Sequence, residues 1–312
     1  MINQVNKKIK EIISSDEKAI AGYLNNCAQY NGKRLRAKLL LLSCSVFGRV
    51  TDKAIELAAI IEIIHLASLL HDDVVDNVGV RRGKKALNIL FGNKTSILLA
   101  DYLLAKAMNI LCNEKDAAIL NIIMETVKVM SKGQLNEIAN KNNLKISEED
   151  YSKVIRQKTA SLFSASCKIG AMLGKLGPKD ILAMEKFGVS FGMLFQVTDD
   201  MLDFWGDEKK LGKPVFSDLM DKNFTLPIII LLKEADTLDR KKINLILKSE
   251  NIDKSDAKKI FAYLNKYGIK EKSLKTALKY YNDAESSLFL LKDSSAKKEL
   301  EIILSSALKR EK

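Results

Sequence analysis

Six aspartates stand in two groups of one pattern: Asp72, Asp73 and Asp76, and Asp199, Asp200 and Asp203, each as Asp-Asp-x-x-Asp. An α-helix turns about 100° per residue, so positions four apart lie about 40° from each other. Asp72 and Asp76 therefore share a face, as do Asp199 and Asp203. Stacked carboxylates repel and disfavour a helix, and apolar neighbours add a desolvation cost unless a cation compensates. One such group alone reads equally well as a solvated helix end. Two copies, each flanked by Leu, Ile, Val, Met or Phe, point instead to cation binding. Carboxylate oxygens are hard ligands suited to Mg²⁺, which takes one or two of them together with waters and phosphate oxygens. Two opposed acidic helices are then expected to hold a diphosphate through several Mg²⁺ ions.

The basic residues fit that expectation. The net charge is +12, but of the 51 basic residues only eight are Arg. Most of the charge is lysine along helix faces, where a solvated surface is the ordinary reading. Four of the arginines, Arg34, Arg36, Arg81 and Arg82, form two short clusters suited to bidentate phosphate recognition. The chain has two histidines. His65 precedes Asp72 by two helical turns and shares its face, whereas His71 is rotated away and is assigned a structural role. There is no Ser-His-Asp or Cys-His arrangement and no C-x-x-C spacing, so Cys27, Cys44, Cys112 and Cys167 read as free thiols of a reducing cytoplasm. Aromatic residues are 6% of the chain and sit in apolar contexts, which argues against a nucleic-acid surface.

The elements that must carry these residues are helices. Only three prolines occur, all at or after Pro178, and apolar positions recur at three- and four-residue steps. Helical patterns cover residues 54–73, 95–111, 117–139, 151–173, 181–204 and 224–232, with breaks at 77–83, 140–147, 174–179 and 206–216. Residues 236–258 read as peripheral helices and loops. An all-α, single large helical bundle over residues 1–312 is the simplest reading. The apolar stretches are short or interrupted by Glu62 and His65, and residues 1–15 lack a signal-peptide core, so no membrane span and a cytoplasmic location are expected.

Read together, the motifs resemble those of the polyprenyl synthetases, the trans-isoprenyl diphosphate synthase family, along almost the whole chain. Asn31-Gly32-Lys33-Arg34-Leu35-Arg36 is similar to the family's basic loop, and residues 64–76 to its first aspartate motif, followed by Arg81-Arg82-Gly83. Lys158-Thr159-Ala160, Phe195-Gln196 with the second aspartate motif, Leu211-Gly212-Lys213-Pro214 and residues 218–227 follow in order. The resemblance implies a bundle of the isoprenoid synthase type and a Mg²⁺-dependent prenyltransferase packed as a homodimer. It implies an allylic diphosphate on Mg²⁺ held by Asp72, Asp76 and Asp199, with Asp73, Asp200 and Asp203 in support. Arg81, Lys158, Thr159, Gln196 and Lys213 would contact that diphosphate. Isopentenyl diphosphate would be held by Lys33, Arg36, His65 and Arg82.

Three positions depart from the family pattern. Asn31 replaces a glycine, Ala37 a proline, and Asn223 the lysine expected there, with Lys222 one position earlier. Product length turns on residues one helical turn before Asp72, because helical side chains lean toward the N-terminus. These are Ala67 and Ser68, both small, where the family's short-chain members carry an aromatic. An octaprenyl-like product serving as a quinone side chain is therefore expected, with Met124 or Met130 as deeper floors. The alternatives are a geranylgeranyl or farnesyl synthase, or a non-catalytic partner subunit, although such subunits usually lose aspartates that are all present here. A terpene cyclase does not need the second basic set. The basic surface also allows peripheral contact with a membrane.

Overall fold

The computed structural model describes residues 1–14, 17–30, 32–81, 83–113, 116–208 and 215–309. In chain order the helices are α1 (Ile2–Ile13), α2 (Lys18–Asn26), α3 (Leu35–Ser45), α4 (Asp52–Val75), α5 (Leu87–Phe91), α6 (Asn93–Cys112), α7 (Ala117–Asn140) and α8 (Glu148–Ile155). They continue as α9 (Ser161–Leu173), α10 (Pro178–Trp205), α11 (Ser217–Met220), α12 (Leu226–Glu234), α13 (Thr237–Lys248), α14 (Lys254–Lys266), α15 (Ile269–Phe289) and α16 (Ser295–Leu308). Among the described residues the only strands form a two-residue antiparallel ribbon, Val80–Arg81 against Lys84–Lys85. Gly83 turns it at φ +75°, in the left-handed region that glycine tolerates. The all-α expectation is met.

Contacts divide the chain into two compact units: residues 1–127, 165–185 and 291–300, and residues 128–164, 186–290 and 301–312. The first is organised by α4, which packs against α1, α3 and α6 and buries Leu57, Ile60, Ile61 and Ile63 completely. Thr51 starts α4 by accepting a hydrogen bond from the Ala54 N–H at 3.3 Å, an N-cap. Glu62 and His65 do not shorten the helix. By length and composition alone α4 and α6 could each cross a membrane, yet the most apolar part of α4 is 72% buried inside the protein.

The second unit is built on α10 and the segment leading into α9. Phe163, Phe187 and Phe191 are fully buried, with Phe163 and Phe191 edge-to-face at 5.2 Å. At Gly192 a Cβ would lie 2.5 Å from the Ala160 Cα, so only glycine lets α10 approach this closely. Residues 151–173, expected as one helix, contain a π-turn at Arg156–Ala160 between α8 and α9. That turn shifts the register across Lys158 and Thr159, as π-bulges often do at functional positions. Residues 236–258 are more regular than expected, because Asp236 and Asp253 each N-cap a helix, α13 and α14.

Two candidate sites built around the aspartates

The first aspartate group closes α4 in the first unit. Asp76 donates its N–H to the Asp72 carbonyl at 2.8 Å, so the turn that stacks the two carboxylates is intact. The group sits at a helix C-terminus, where the macrodipole is negative and carboxylates are unfavourable without a cation. Asp73 is spent within the protein. It is buried; the Tyr30 hydroxyl donates to its Oδ2 at 2.5 Å and Arg81 Nε to its Oδ1 at 2.6 Å. The Arg81 guanidinium also pairs with it, carried there by the short ribbon. Tyr30 further accepts the Leu87 N–H at 3.3 Å, and burial together with Asp73 pushes its hydroxyl well above the usual range. Asp72 and Asp76, by contrast, are half-buried at the helix surface.

The predicted second-diphosphate residues lie in the same unit. Lys33 is exposed in the loop before α3. Burial lowers the Arg36 guanidinium to about 10, with Glu62 opposing, so it stays protonated at neutral pH. His65 is half-buried on α4; the Ser68 hydroxyl donates to its carbonyl at 2.8 Å, and Ala67 beside Ser68 is buried. His71 pairs through Nε2 with Asp101 of α6 at 3.2 Å. Arg82 lies outside the described residues, as do Asn31, Lys213 and the rest of residues 211–214.

The second group occupies the last two turns of α10. Asp200 is buried; Tyr151 of α8 donates to Oδ2 at 2.5 Å and Gln196 Nε2 to Oδ1 at 2.8 Å. Gln196 Oε1 in turn accepts from Thr159 Oγ1 at 2.8 Å, so Thr159, Gln196, Asp200 and Tyr151 form one chain. Asp203 is fully buried and accepts from Ser217 Oγ at 2.5 Å and Asp218 N at 3.1 Å, anchoring the start of α11. Asp199 is half-buried.

Lys158, set by the π-turn, pairs with Glu137 of α7, and Glu137 also accepts from Asn223 Nδ2 at 3.3 Å. At Gly133 a Cβ would come within 2.4 Å of the Lys158 N, so α7 packs directly on this turn. Lys222, one position before Asn223, has φ +54° in a non-helical turn. Sequence reasoning missed Tyr30, Tyr151, Glu137 and Ser217. Tyr30 stands directly before the basic loop and could have been flagged; the others carry no pattern linking them to the aspartates.

Burial, aided by Asp199 and Asp203 and opposed by the bonds from Tyr151 and Gln196, pushes Asp200 up to about 7. The unfolded value is 3.8, so the folded metal-free protein keeps a proton there that the unfolded chain releases. This contribution to stability is complete below the unfolded value and is lost as pH rises through the folded one. The melting temperature of metal-free wild type is expected to fall relative to Asp200→Asn between about pH 4 and pH 7. Parallel curves by scanning calorimetry would show the carboxylate already ionised.

These groups suit a hard divalent cation: they offer oxygen donors only, with carboxylates one helical turn apart. Among the described residues no three His, Cys, Asp or Glu side chains converge on one point. Mg²⁺ does not require that, since it takes one or two carboxylates and completes its shell with water and phosphate oxygens.

The comparisons with known proteins agree with this chemistry. The polyprenyl synthetase family model matches residues 17–264. The chain is 34% identical over 284 residues to a short chain isoprenyl diphosphate synthase of Methanothermobacter thermautotrophicus, covering 90% of this chain and 87% of that one. It is 35% identical over 225 residues to the octaprenyl diphosphate synthase of Escherichia coli, covering 72% and 70%. A polyprenyl synthase structure from Caulobacter crescentus, complexed with calcium and isoprenyl diphosphate, superposes with a TM-score of 0.92 at 27% identity, covering 100% and 95%. The family uses divalent metal ions. With its two aspartate groups, its basic loop and its helical architecture, this chain belongs to the polyprenyl synthetase family and is a trans-prenyl diphosphate synthase with the isoprenoid synthase fold.

Proposed function

We propose that the enzyme is Mg²⁺-dependent and joins an allylic diphosphate, farnesyl diphosphate first, to successive isopentenyl diphosphates. Its product in this reading is a long all-trans chain of octaprenyl type for a quinone side chain, made in the cytoplasm. The observation that carries the reading is the division inside each aspartate group. Asp73, Asp200 and Asp203 are buried on protein donors, while Asp72, Asp76 and Asp199 lie at the helix surfaces. The surface three are assigned to Mg²⁺ and the buried three to their support.

Bound Mg²⁺ supplies Lewis-acid stabilisation of the leaving diphosphate. Arg81, Lys158, Thr159, Gln196 and Lys213 bind the allylic diphosphate, and the cations Arg81 and Lys158 stabilise charge on it as the C–O bond ionises. Lys33, Arg36, His65 and Arg82 hold isopentenyl diphosphate without metal, so that its double bond meets the allylic cation. Loss of a proton to the departing diphosphate then restores the alkene. No protein nucleophile is needed.

The proposed partner is a second copy of the chain. The apolar helix α6 supports this, since only 33% of its most apolar part is buried and Ile97 and Leu98 are exposed. The basic surface supports peripheral contact with an anionic bilayer. The test is a product assay with purified protein, farnesyl diphosphate, excess isopentenyl diphosphate and Mg²⁺, read by mass spectrometry. A Mg²⁺-dependent ladder running well beyond geranylgeranyl is expected. A stop at farnesyl or geranylgeranyl would overturn the chain length, and no product with any primer would favour a partner-subunit role.

A further inference from the structure

A carboxylate that the proposed chemistry does not use lies at the centre of the first unit. Glu62 is 4% exposed in the middle of α4, between Ile61 and Ile63, both fully buried. An ionised group there is costly unless its oxygens are fully engaged. Its Oε1 accepts the Ala37 N–H at 3.0 Å and its Oε2 accepts Arg34 Nη1 at 3.4 Å. Ala37 belongs to the first turn of α3, and Arg34, at the N-cap position, provides no side-chain cap. Glu62 therefore caps α3 from another helix, meeting an orphan N–H with a negative charge at the positive end of the dipole.

The same carboxylate holds the loop conformation. Arg34 has φ +48°, a left-handed backbone that a branched or long side chain adopts only under restraint. Its guanidinium is held by Glu62 on one side and, on the other, by Asn6 of α1, whose Oδ1 accepts Nε at 3.1 Å. Lys33 and Arg36 flank this residue. The charge of Glu62 also opposes the lowering of the Arg36 guanidinium by burial. His65 follows Glu62 by three residues on α4. One buried carboxylate thus holds Arg34 and the start of α3, acts electrostatically on Arg36, and lies one helical turn from His65.

We propose that Glu62, acting through Arg34 and the start of α3, is the positioning residue for isopentenyl diphosphate binding. This rests on the assignment of Lys33, Arg36 and His65 to that substrate. Glu62 touches no substrate itself. Its loss lets the loop relax from its left-handed turn, so Lys33 and Arg36 no longer meet one diphosphate together.

The test is steady-state kinetics on Glu62→Gln, Arg34→Lys and Arg36→Ala, varying each substrate in turn, with melting temperatures measured alongside. Glu62→Gln keeps an acceptor for the Ala37 N–H but loses the charge that fixes Arg34. Its KM for isopentenyl diphosphate is expected to rise about tenfold, with the allylic KM unchanged, since a small misplacement costs on that order. Arg34→Lys, which keeps the charge but not the planar fork, is expected to raise the same KM by about threefold. It reads the same coupling should Glu62→Gln fail to fold. A purely structural role would lower the melting temperature and the active fraction while leaving both KM values where they were, and that outcome overturns the proposal. If Arg36→Ala also leaves the isopentenyl diphosphate KM unchanged, the assignment of the basic loop fails instead.

Discussion

Asp199→Ala is expected to lower kcat by about 1,000-fold or more, with no recovery at raised Mg²⁺, because the metal-borne stabilisation of the leaving group is lost. The reason is that neither neighbour is available to replace it. Asp200 is tied to Tyr151 and Gln196, and Asp203 to Ser217 and Asp218. Turning either carboxylate toward a metal strands buried donors, at about 1–3 kcal/mol for each. The same substitution removes a charge that raises the pKa of Asp200. The metal-free variant is therefore expected to melt no lower than wild type. Single-turnover assays over a Mg²⁺ series, with melting curves by circular dichroism, check both halves. Activity within tenfold of wild type would remove Asp199 from the metal-bearing set.

On the proposed long-chain, Mg²⁺-dependent function, Ser68→Phe is expected to shift the product distribution toward farnesyl and geranylgeranyl diphosphate, with metal dependence unchanged. Ser68 lies one turn before Asp72, and its side chain leans toward the start of α4, along the path proposed for the growing chain. It is half-buried, and its hydroxyl is bonded only to the turn below, at the His65 carbonyl. Ala67→Phe is a poorer probe, since Ala67 is 2% exposed and overpacking costs about 1–3 kcal/mol. Mass spectrometry of the products decides the matter. An unchanged distribution would place the floor elsewhere on the path, and Met124 and Met130 become the next positions to substitute.

The stacking inside each aspartate group of the candidate site was legible in the residues because its geometry is local. Asp72 with Asp76, and Asp199 with Asp203, are one helical turn apart, and helix geometry alone stacks them. His65 and Ser68 follow from the same periodicity. Other features escaped for definite reasons. The π-turn at Arg156–Ala160 leaves the apolar pattern of residues 151–173 continuous while changing the register inside it. The ribbon that brings Arg81 to Asp73 has two residues a side, too short for alternation to reveal. Asn223 looked like a lost lysine, and the structure gives it a bond to Glu137, the partner of Lys158.

By itself the sequence determined the helical class and the family, since both depend on residue type and on spacing within a helix. Only the tertiary structure decided how the six aspartates divide between surface and interior. That division depends on Tyr30, Tyr151 and Ser217, brought to Asp73, Asp200 and Asp203 by the packing of separate elements. Glu62 is the same kind of case: along α4 it interrupts an apolar run, and in the fold it caps another helix. A hydrogen bond between distant segments leaves no period in the chain, so its partners become visible only when packing has set them 2.5 to 3.4 Å apart.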